Sequence, residues 1–229
     1  MEPNATNHVK SFMRDCIPPV IARLFLRLRP SKCDHQPPIQ GCQRDAAWYD
    51  ESFPTQYLNH YTKSNYYALW AIIGDRIKHA RFKSILDLGC GAGQMATFLR
   101  DLGVSRYLGI DFSPRRIQRA KAICPEFDFA VADLFETPAF ETRDYDCVVC
   151  TEVLEHLNQD LDLIKRVRGG TRFLASVPNF PWESHVRHFE NADMVTERYG
   201  DILSEICVHT HRASEGGHTF FLIDGIWHH

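Results

Sequence analysis

The sequence predicts an α/β protein whose sheet is doubly wound and mostly parallel, with a helical extension ahead of it. Three observations carry that expectation. The stretch 84–95, Ser-Ile-Leu-Asp-Leu-Gly-Cys-Gly-Ala-Gly-Gln-Met, is a short apolar run that passes through a glycine turn into a helix. After it, strand-like and helix-like segments alternate as far as residue 223. Acidic residues stand at the ends of the first three strands: Asp87, Asp111 and Asp133.

At 229 residues the chain is long enough for one sizeable domain with an extension, divided here into 1–62, an extension contributing to a pocket lid, and 63–229, the main domain. A formal net charge of −3 provides no global basic field of the kind that non-specific nucleic-acid binders use, so a nucleic-acid partner is not expected. The eight cysteines are scattered, and four fall within or beside apolar or glycine-turn segments where the thiol acts as a small hydrophobe. That usage suits a reducing compartment. Residues 1–10 are polar without an apolar core, and no apolar run approaches the ~20 residues of a membrane span. A soluble, cytoplasmic protein without a transmembrane segment is therefore expected.

In chain order, the first local signal is at 18–30. Pro18-Pro19 opens it, Val20, Ile21, Leu24, Phe25 and Leu28 follow at helical spacing, Arg23, Arg27 and Arg29 lie elsewhere, and Pro30 stops it. Such a short basic amphipathic helix docks on its own domain, with 20–29 a candidate for peripheral contact with a partner or membrane surface. Cys33, His35 and Cys42 follow in a Pro-rich linker at a spacing that departs from paired C-x-x-C zinc sites, so no metal is expected there. From 46 to 77 aromatics are dense, and Tyr66, Trp70, Ile73 and Ile77 share one helical face leading into the first strand. Core packing is the expected use of that stripe.

The glycine turn is where a nucleotide pocket is expected. Glycines at alternate positions let the backbone take positive φ and let a ligand come close, while the helix starting near Gln94 aims free amides at the same spot. The spacing Gly89-x-Gly91-x-Gly93 is G-x-G-x-G, not the dinucleotide G-x-G-x-x-G. A second strand, 107–110, ends in Asp111, whose carboxylate can accept both ribose hydroxyls of an adenosine ligand. A third, 127–131, ends at Ala132-Asp133-Leu134.

These three strand ends resemble those of class I S-adenosylmethionine-dependent methyltransferases. The resemblance implies a Rossmann-like sheet of seven strands, S-adenosylmethionine as cofactor, and cofactor contacts from Asp87, Gly89, Gly91, Gly93, Asp111, Phe112, Asp133, Leu134, Thr151 and Glu152. It also implies that the helical segment before the glycine turn covers the cofactor, which makes Tyr57, Tyr61 and Tyr66 candidates to touch ligand. The remaining elements fit: helices over 95–102 and 114–123, a loop to 144, a fourth strand over 145–150, a fifth over 172–177, a helix over 191–199, and late strands over 204–209 and 219–223 with the last antiparallel.

Ligands in such sheets bind beyond the carboxyl ends of the strands, so Glu152, Glu155, His156 and Asn179 are candidates for one crevice. The fourth strand is followed by Thr151-Glu152-Val153-Leu154 and lacks the D/N-P-P-Y/F turn of the family's amine methylators. Glu152-x-x-Glu155-His156 resembles instead the E-x-x-E-H segment of the O-methyltransferases of ubiquinone biosynthesis and of small-RNA 3′ ends. In both groups it is associated with a divalent metal such as Mg, and His185 and His188 supply further ligands here. On a helix, Glu152 and Glu155 would share a face with His156 one step round. Without metal, His156 or His188 serves as general base, with Glu155 beside them.

The expected activity is O-methylation of a small-molecule hydroxyl. Two alternatives stand beside it. One is 2′-O-methylation of a small-RNA 3′ end, which needs a basic groove from Arg166, Arg168, Arg172 and Arg187; the other is a non-catalytic adenosine-binding scaffold.

Overall fold

The computed structural model describes residues 41–51, 55–213 and 217–228, all within one compact unit. The helix expected over 18–30, and Cys33 and His35, lie outside the described residues. Seven strands form one sheet: β1 (Ser84–Leu88), β2 (Arg106–Asp111), β3 (Asp128–Val131), β4 (Cys147–Thr151), β5 (Arg172–Pro178), β6 (Leu203–Arg212) and β7 (Thr219–Trp227). Their order is β3-β2-β1-β4-β5-β7-β6, with β1 to β5 parallel and β7 antiparallel to both neighbours. The chain reverses direction across the sheet between β1 and β4, which opens a crevice at the carboxyl ends of those strands.

Alternating side chains of the central strands feed two cores, one on each face. Ile85, Cys147, Val149 and Leu174 meet α2 (Tyr67–Ala80), α3 (Gln94–Asp101) and α4 (Pro114–Ile123) through Leu69, Ile73, Phe98, Leu99 and Ile117. Leu86, Leu88, Val148, Cys150 and Phe173 meet the opposite layer. That layer consists of α5 (Ala139–Thr142), α6 (Asp160–Lys165) and α7 (Ala192–Tyr199). Local chemistry fixes the helix ends: Ser113 caps α4 ahead of Pro114, and Asn191 caps α7. The six described cysteines are free thiols, and Cys90, Cys124, Cys147 and Cys150 are buried as small hydrophobes. Among the described residues no helix is long and apolar enough to cross a membrane.

Four local features differ from the sequence pattern. Residues 139–142 form a helical turn where a loop is expected, because Ala139 and Phe140 dock into the core. The β4–β5 connection contains α6, whose six residues are too few to show a period. The hairpin of β6 and β7 is longer than expected. Asp224 and Gly225 read as breakers, yet Asp224 is neutralised by Arg172 of β5 at 2.5 Å and faces Arg76 of α2 at 3.6 Å, so the strand runs on. Finally, Glu152 and Glu155 do not share a helix face: Glu152 ends the strand region with φ of 56°, and only Leu154–His156 form a short 3-10 turn.

Ahead of the sheet, α1 (Ala46–Glu51) and short turns at Thr55–Leu58 and Tyr61–Lys63 run across the crevice. None of their residues is fully buried, and they are fastened by polar contacts. Gln94 Nε2 donates to the carbonyls of Asn59 and Gln56, Arg115 to that of Asp50, and Arg119 to that of Leu58. Ser113 donates its hydroxyl to the Asp50 carboxylate. These contacts make 41–51 and 55–66 a roof.

Candidate active site

Under the roof lies a cavity of about 590 Å³, within the range of small-molecule and cofactor sites. One end is built from the strand ends. Asp87, Gly89, Cys90, Gly91, Asp111, Phe112, Asp133, Leu134, Thr151 and Glu152 all line it. Gly91 has φ of 54°, and a Cβ there would point into open space on the cavity wall, so its absence lets a ligand come against the main chain. Gly93 has another use. It is not a lining residue; its φ is 84°, and a Cβ would come within 2.8 Å of the Ala120 Cα, so it lets α3 start against α4.

The carboxylates here are tied down by the protein. Asp111 accepts from the amides of Gly91 at 3.0 Å and Ser113 at 2.9 Å, which shapes the turn from β2 as well as the glycine loop. Burial raises its pKa. Asp87 accepts from the Tyr107 hydroxyl at 2.5 Å, and burial pushes its carboxyl up to about 7 against the lowering effect of that bond.

The other end is lined by Tyr57, Asn65, Tyr66, Trp70, Glu155, His156, Phe180, Trp182, Ser184 and His185. Of the three tyrosines singled out from sequence, Tyr57 and Tyr66 line the cavity, while Tyr61 turns away and donates to Asp101. Asn179 is not a lining residue. Its side chain accepts from the Thr219 amide and holds β5 to β7. His188 is not one either; its Nδ1 is buried without a hydrogen-bond partner among the described residues.

The structure brings His185 to Glu155 and His156 instead. His156 Nδ1 lies 2.9 Å from the Ser184 carbonyl, and His185 Nδ1 lies 3.0 Å from the Phe180 carbonyl. A carbonyl only accepts, so each Nδ1 carries a proton and each Nε2 keeps its lone pair. The two rings are 4.8 Å apart in edge contact. Glu155 is fully buried, and neither carboxylate oxygen has a hydrogen-bond partner among the described residues. One ligand atom from each of the three side chains lies within 4.8 Å of the others. Such a donor set of one oxygen and two imidazole nitrogens fits a divalent cation.

Burial, reinforced by Glu152, raises the pKa of Glu155, and burial with the nearby His185 pushes His156 down to about 3. Glu152 accepts from the Ser176 hydroxyl at 2.7 Å and is pushed up to about 7 by burial. The segment carrying Glu155 and His156 is held from behind by Arg187, which donates to the carbonyls of Leu154, Leu157 and Asn158 and pairs with Asp160 at 3.3 Å.

Sequence reasoning left out Tyr49, whose hydroxyl stands 3.1 Å from His156 Nδ1, and Arg116, whose guanidinium lies over the rings of Tyr49 and Tyr57. The signal for Tyr49 was the aromatic density ahead of β1; Arg116, on α4, had none.

Residues 85–172 match a family model described as a methyltransferase domain. A ubiquinone biosynthesis O-methyltransferase of Xanthomonas campestris pv. campestris is 29% identical over 106 residues, covering 42% of this chain and 44% of the relative. The chain thus spans less than half the length of the curated relatives it matches. The N-methyltransferase NodS of Bradyrhizobium japonicum WM9, solved with S-adenosyl-L-homocysteine, superposes with a TM-score of 0.56 at 18% identity, covering 71% of this chain and 87% of that one. Magnesium protoporphyrin IX methyltransferase of Synechocystis PCC 6803, solved with S-adenosylmethionine, gives 0.59 at 15% identity, covering 80% and 97%. The family match spans β1 to the start of β5, so residues 85–172 carry a methyltransferase domain, on the fold of these two methyltransferase structures and with a glycine turn beside three strand-end carboxylates.

Proposed function

We propose that the chain methylates a hydroxyl of a small molecule held at the roofed end of the cavity. The observation that carries this reading is the pair of histidines whose Nδ1 atoms are spent on main-chain carbonyls, leaving Nε2 lone pairs free. S-adenosylmethionine, when bound, supplies a methyl on a positively charged sulfur, so alignment and a dry site are what the protein has to add. The roof excludes water and the strand ends orient the cofactor. His156, neutral in the buried site, receives the hydroxyl proton at Nε2, and Glu155 Oε1 at 3.7 Å stands beside the charge that forms.

A second reading is favoured by the unpaired Glu155 oxygens. In it Glu155, His156 and His185 hold a divalent cation that supplies Lewis acidity toward the same hydroxyl. A small-RNA acceptor has less support. Arg187 is buried, Arg172 is paired with Asp224, and Arg166 and Arg168 donate to the carbonyls of Leu134, Thr137 and Tyr145, so these four form no free basic groove.

Transfer of labelled methyl from S-adenosylmethionine into small-molecule, RNA and protein fractions of an extract, with and without chelator, tests the proposal. Label in the small-molecule fraction is the expected result; chelator resistance supports histidine as the proton acceptor, and loss with chelator supports the cation. Label confined to RNA would overturn it, as would cofactor binding with no transfer to supplied phenolic, sugar and polyketide hydroxyls, which favours a scaffold.

Asp87 adds a pH signature. A cation in the cavity favours its ionised form, so S-adenosylmethionine binding should release protons and tighten as pH rises from about 6 to 8 through the raised pKa. S-adenosylhomocysteine, lacking the sulfonium charge, should show a weaker dependence. Titration calorimetry in buffers of different ionisation enthalpy reads both, and equal proton release for the two ligands would exclude this role for Asp87.

A further inference from the structure

His156 has a second polar neighbour at the nitrogen that faces away from Glu155, and it comes from the roof. Tyr49 lies on α1 with its hydroxyl 3.1 Å from His156 Nδ1. The Ser184 carbonyl requires a proton on Nδ1, so the Tyr49 oxygen accepts a share of the Nδ1–H bond. The tyrosine ring is located just as firmly. Arg116 of α4 lies over it at 4.8 Å, and Phe112, which follows the ribose-site carboxylate Asp111, meets it at 5.3 Å in an edge contact.

We propose that Tyr49 is a positioning residue: with the Ser184 carbonyl fixing the Nδ1–H tautomer, it holds the His156 ring in the one orientation that turns the Nε2 lone pair toward Glu155 and the acceptor. Because Arg116 and Phe112 seat its ring from the cofactor side, the histidine is set for proton transfer only when the roof is down over the cofactor end. A bare His156 with only the Ser184 carbonyl would have one acceptor at Nδ1 and a wider choice of ring orientations. Burial of the Tyr49 hydroxyl keeps it protonated, with its pKa pushed up to about 12, so it remains a neutral hydrogen-bonding group throughout the working pH range. This inference rests on the reading of His156 as the group that takes the acceptor proton.

The test is Tyr49→Phe in the full chain, which keeps the ring against Arg116 and Phe112 and removes only the hydroxyl. Long-range proton–nitrogen correlation spectra of histidine-labelled protein, with the His156 signals assigned by their loss in His156→Asn, report the tautomer and, through exchange broadening, the order of the ring without any acceptor present. Both proteins are expected as Nδ1–H, with one sharp set of ring signals in wild type and broadened or doubled signals in the variant. In methyl transfer the variant should lose about tenfold in kcat, the loss of one hydrogen bond, with KM for S-adenosylmethionine changed less than threefold. Ring signals as sharp and single as those of wild type overturn the proposal, and so do broadened signals with kcat within twofold of wild type. If no hydroxyl acceptor is found for the protein, the spectra alone decide, and failure of the functional reading is then separate from failure of this one.

Discussion

Replacing His156 with alanine is expected to lower kcat for methyl transfer by about 10²–10⁴-fold, the usual contribution of a positioned proton acceptor, while S-adenosylmethionine affinity stays within about threefold. The reason is geometric. Nδ1 is already occupied by the Ser184 carbonyl, so Nε2 is the ring's one free nitrogen, and it opens on the cavity end that Asp87, Gly91 and Asp111 do not line. His185→Ala in the same assay separates the two readings of the site. If His185 is a neighbour only, its loss should be much the smaller and insensitive to added metal. If the cation is present, both variants should fall together and both should lose binding of the metal, measured by calorimetry. His188→Ala should cost far less than either, and a loss as large as that of His156→Ala would show that the cavity wall rearranges on binding. Stopped-flow or steady-state rates with the identified acceptor, together with cofactor binding by calorimetry, check all three.

Asp160→Ala is expected to destabilise the fold by about 3–5 kcal/mol, the cost of leaving buried charges without their partner, and to lower Tm by on the order of 10 °C. Asp160 is fully buried and accepts from Arg198 at 2.6 and 2.8 Å and from the Tyr199 hydroxyl at 2.8 Å, with Arg187 at 3.3 Å. Removing it strands two guanidinium groups inside the protein. The consequence reaches the active site, because Arg187 also holds the carbonyls of Leu154 and Leu157 on either side of Glu155 and His156. Activity should therefore fall faster than folded fraction as temperature rises. Asp160→Asn, which keeps acceptor oxygen but not charge, should lie between the variant and wild type. Thermal unfolding by circular dichroism measures the shift, and a change under about 2 °C for Asp160→Ala would mean that the arginines find water when the carboxylate is gone.

Much of the fold was legible because it is written locally. An apolar run, a glycine turn and a helix are contiguous in sequence, and the ends of β1, β2 and β3 carry Asp87, Asp111 and Asp133 at positions that strand polarity alone brings to one edge of a parallel sheet. The strand-end side of the cavity follows from that: of the ten residues named there from sequence, nine line it and Gly93 does not. Elements whose stability is borrowed were less legible. The extension of β7 through Asp224 depends on Arg172 and Arg76, and α6 is too short to show a helical period.

The histidine end of the cavity was legible only as a set of parts. Sequence by itself determined that Glu152, Glu155 and His156 follow β4 and that two histidines follow β5, and hence that carboxylate and imidazole meet beyond the carboxyl edge of the sheet. Which histidine enters the cavity was decided by tertiary structure. The loop after Pro178 carries His185 inward through its bond to the Phe180 carbonyl and leaves His188 off the cavity wall, a choice between residues three apart that no spacing rule ranks. Tyr49 lies 107 positions from His156, and only the docking of the roof on Gln94, Ser113, Arg115 and Arg119 brings the two together. The physical reason is the same in both cases. Strand polarity and glycine geometry are properties of a few neighbouring residues, whereas a hydrogen bond between distant side chains exists only after the main chain has closed around it.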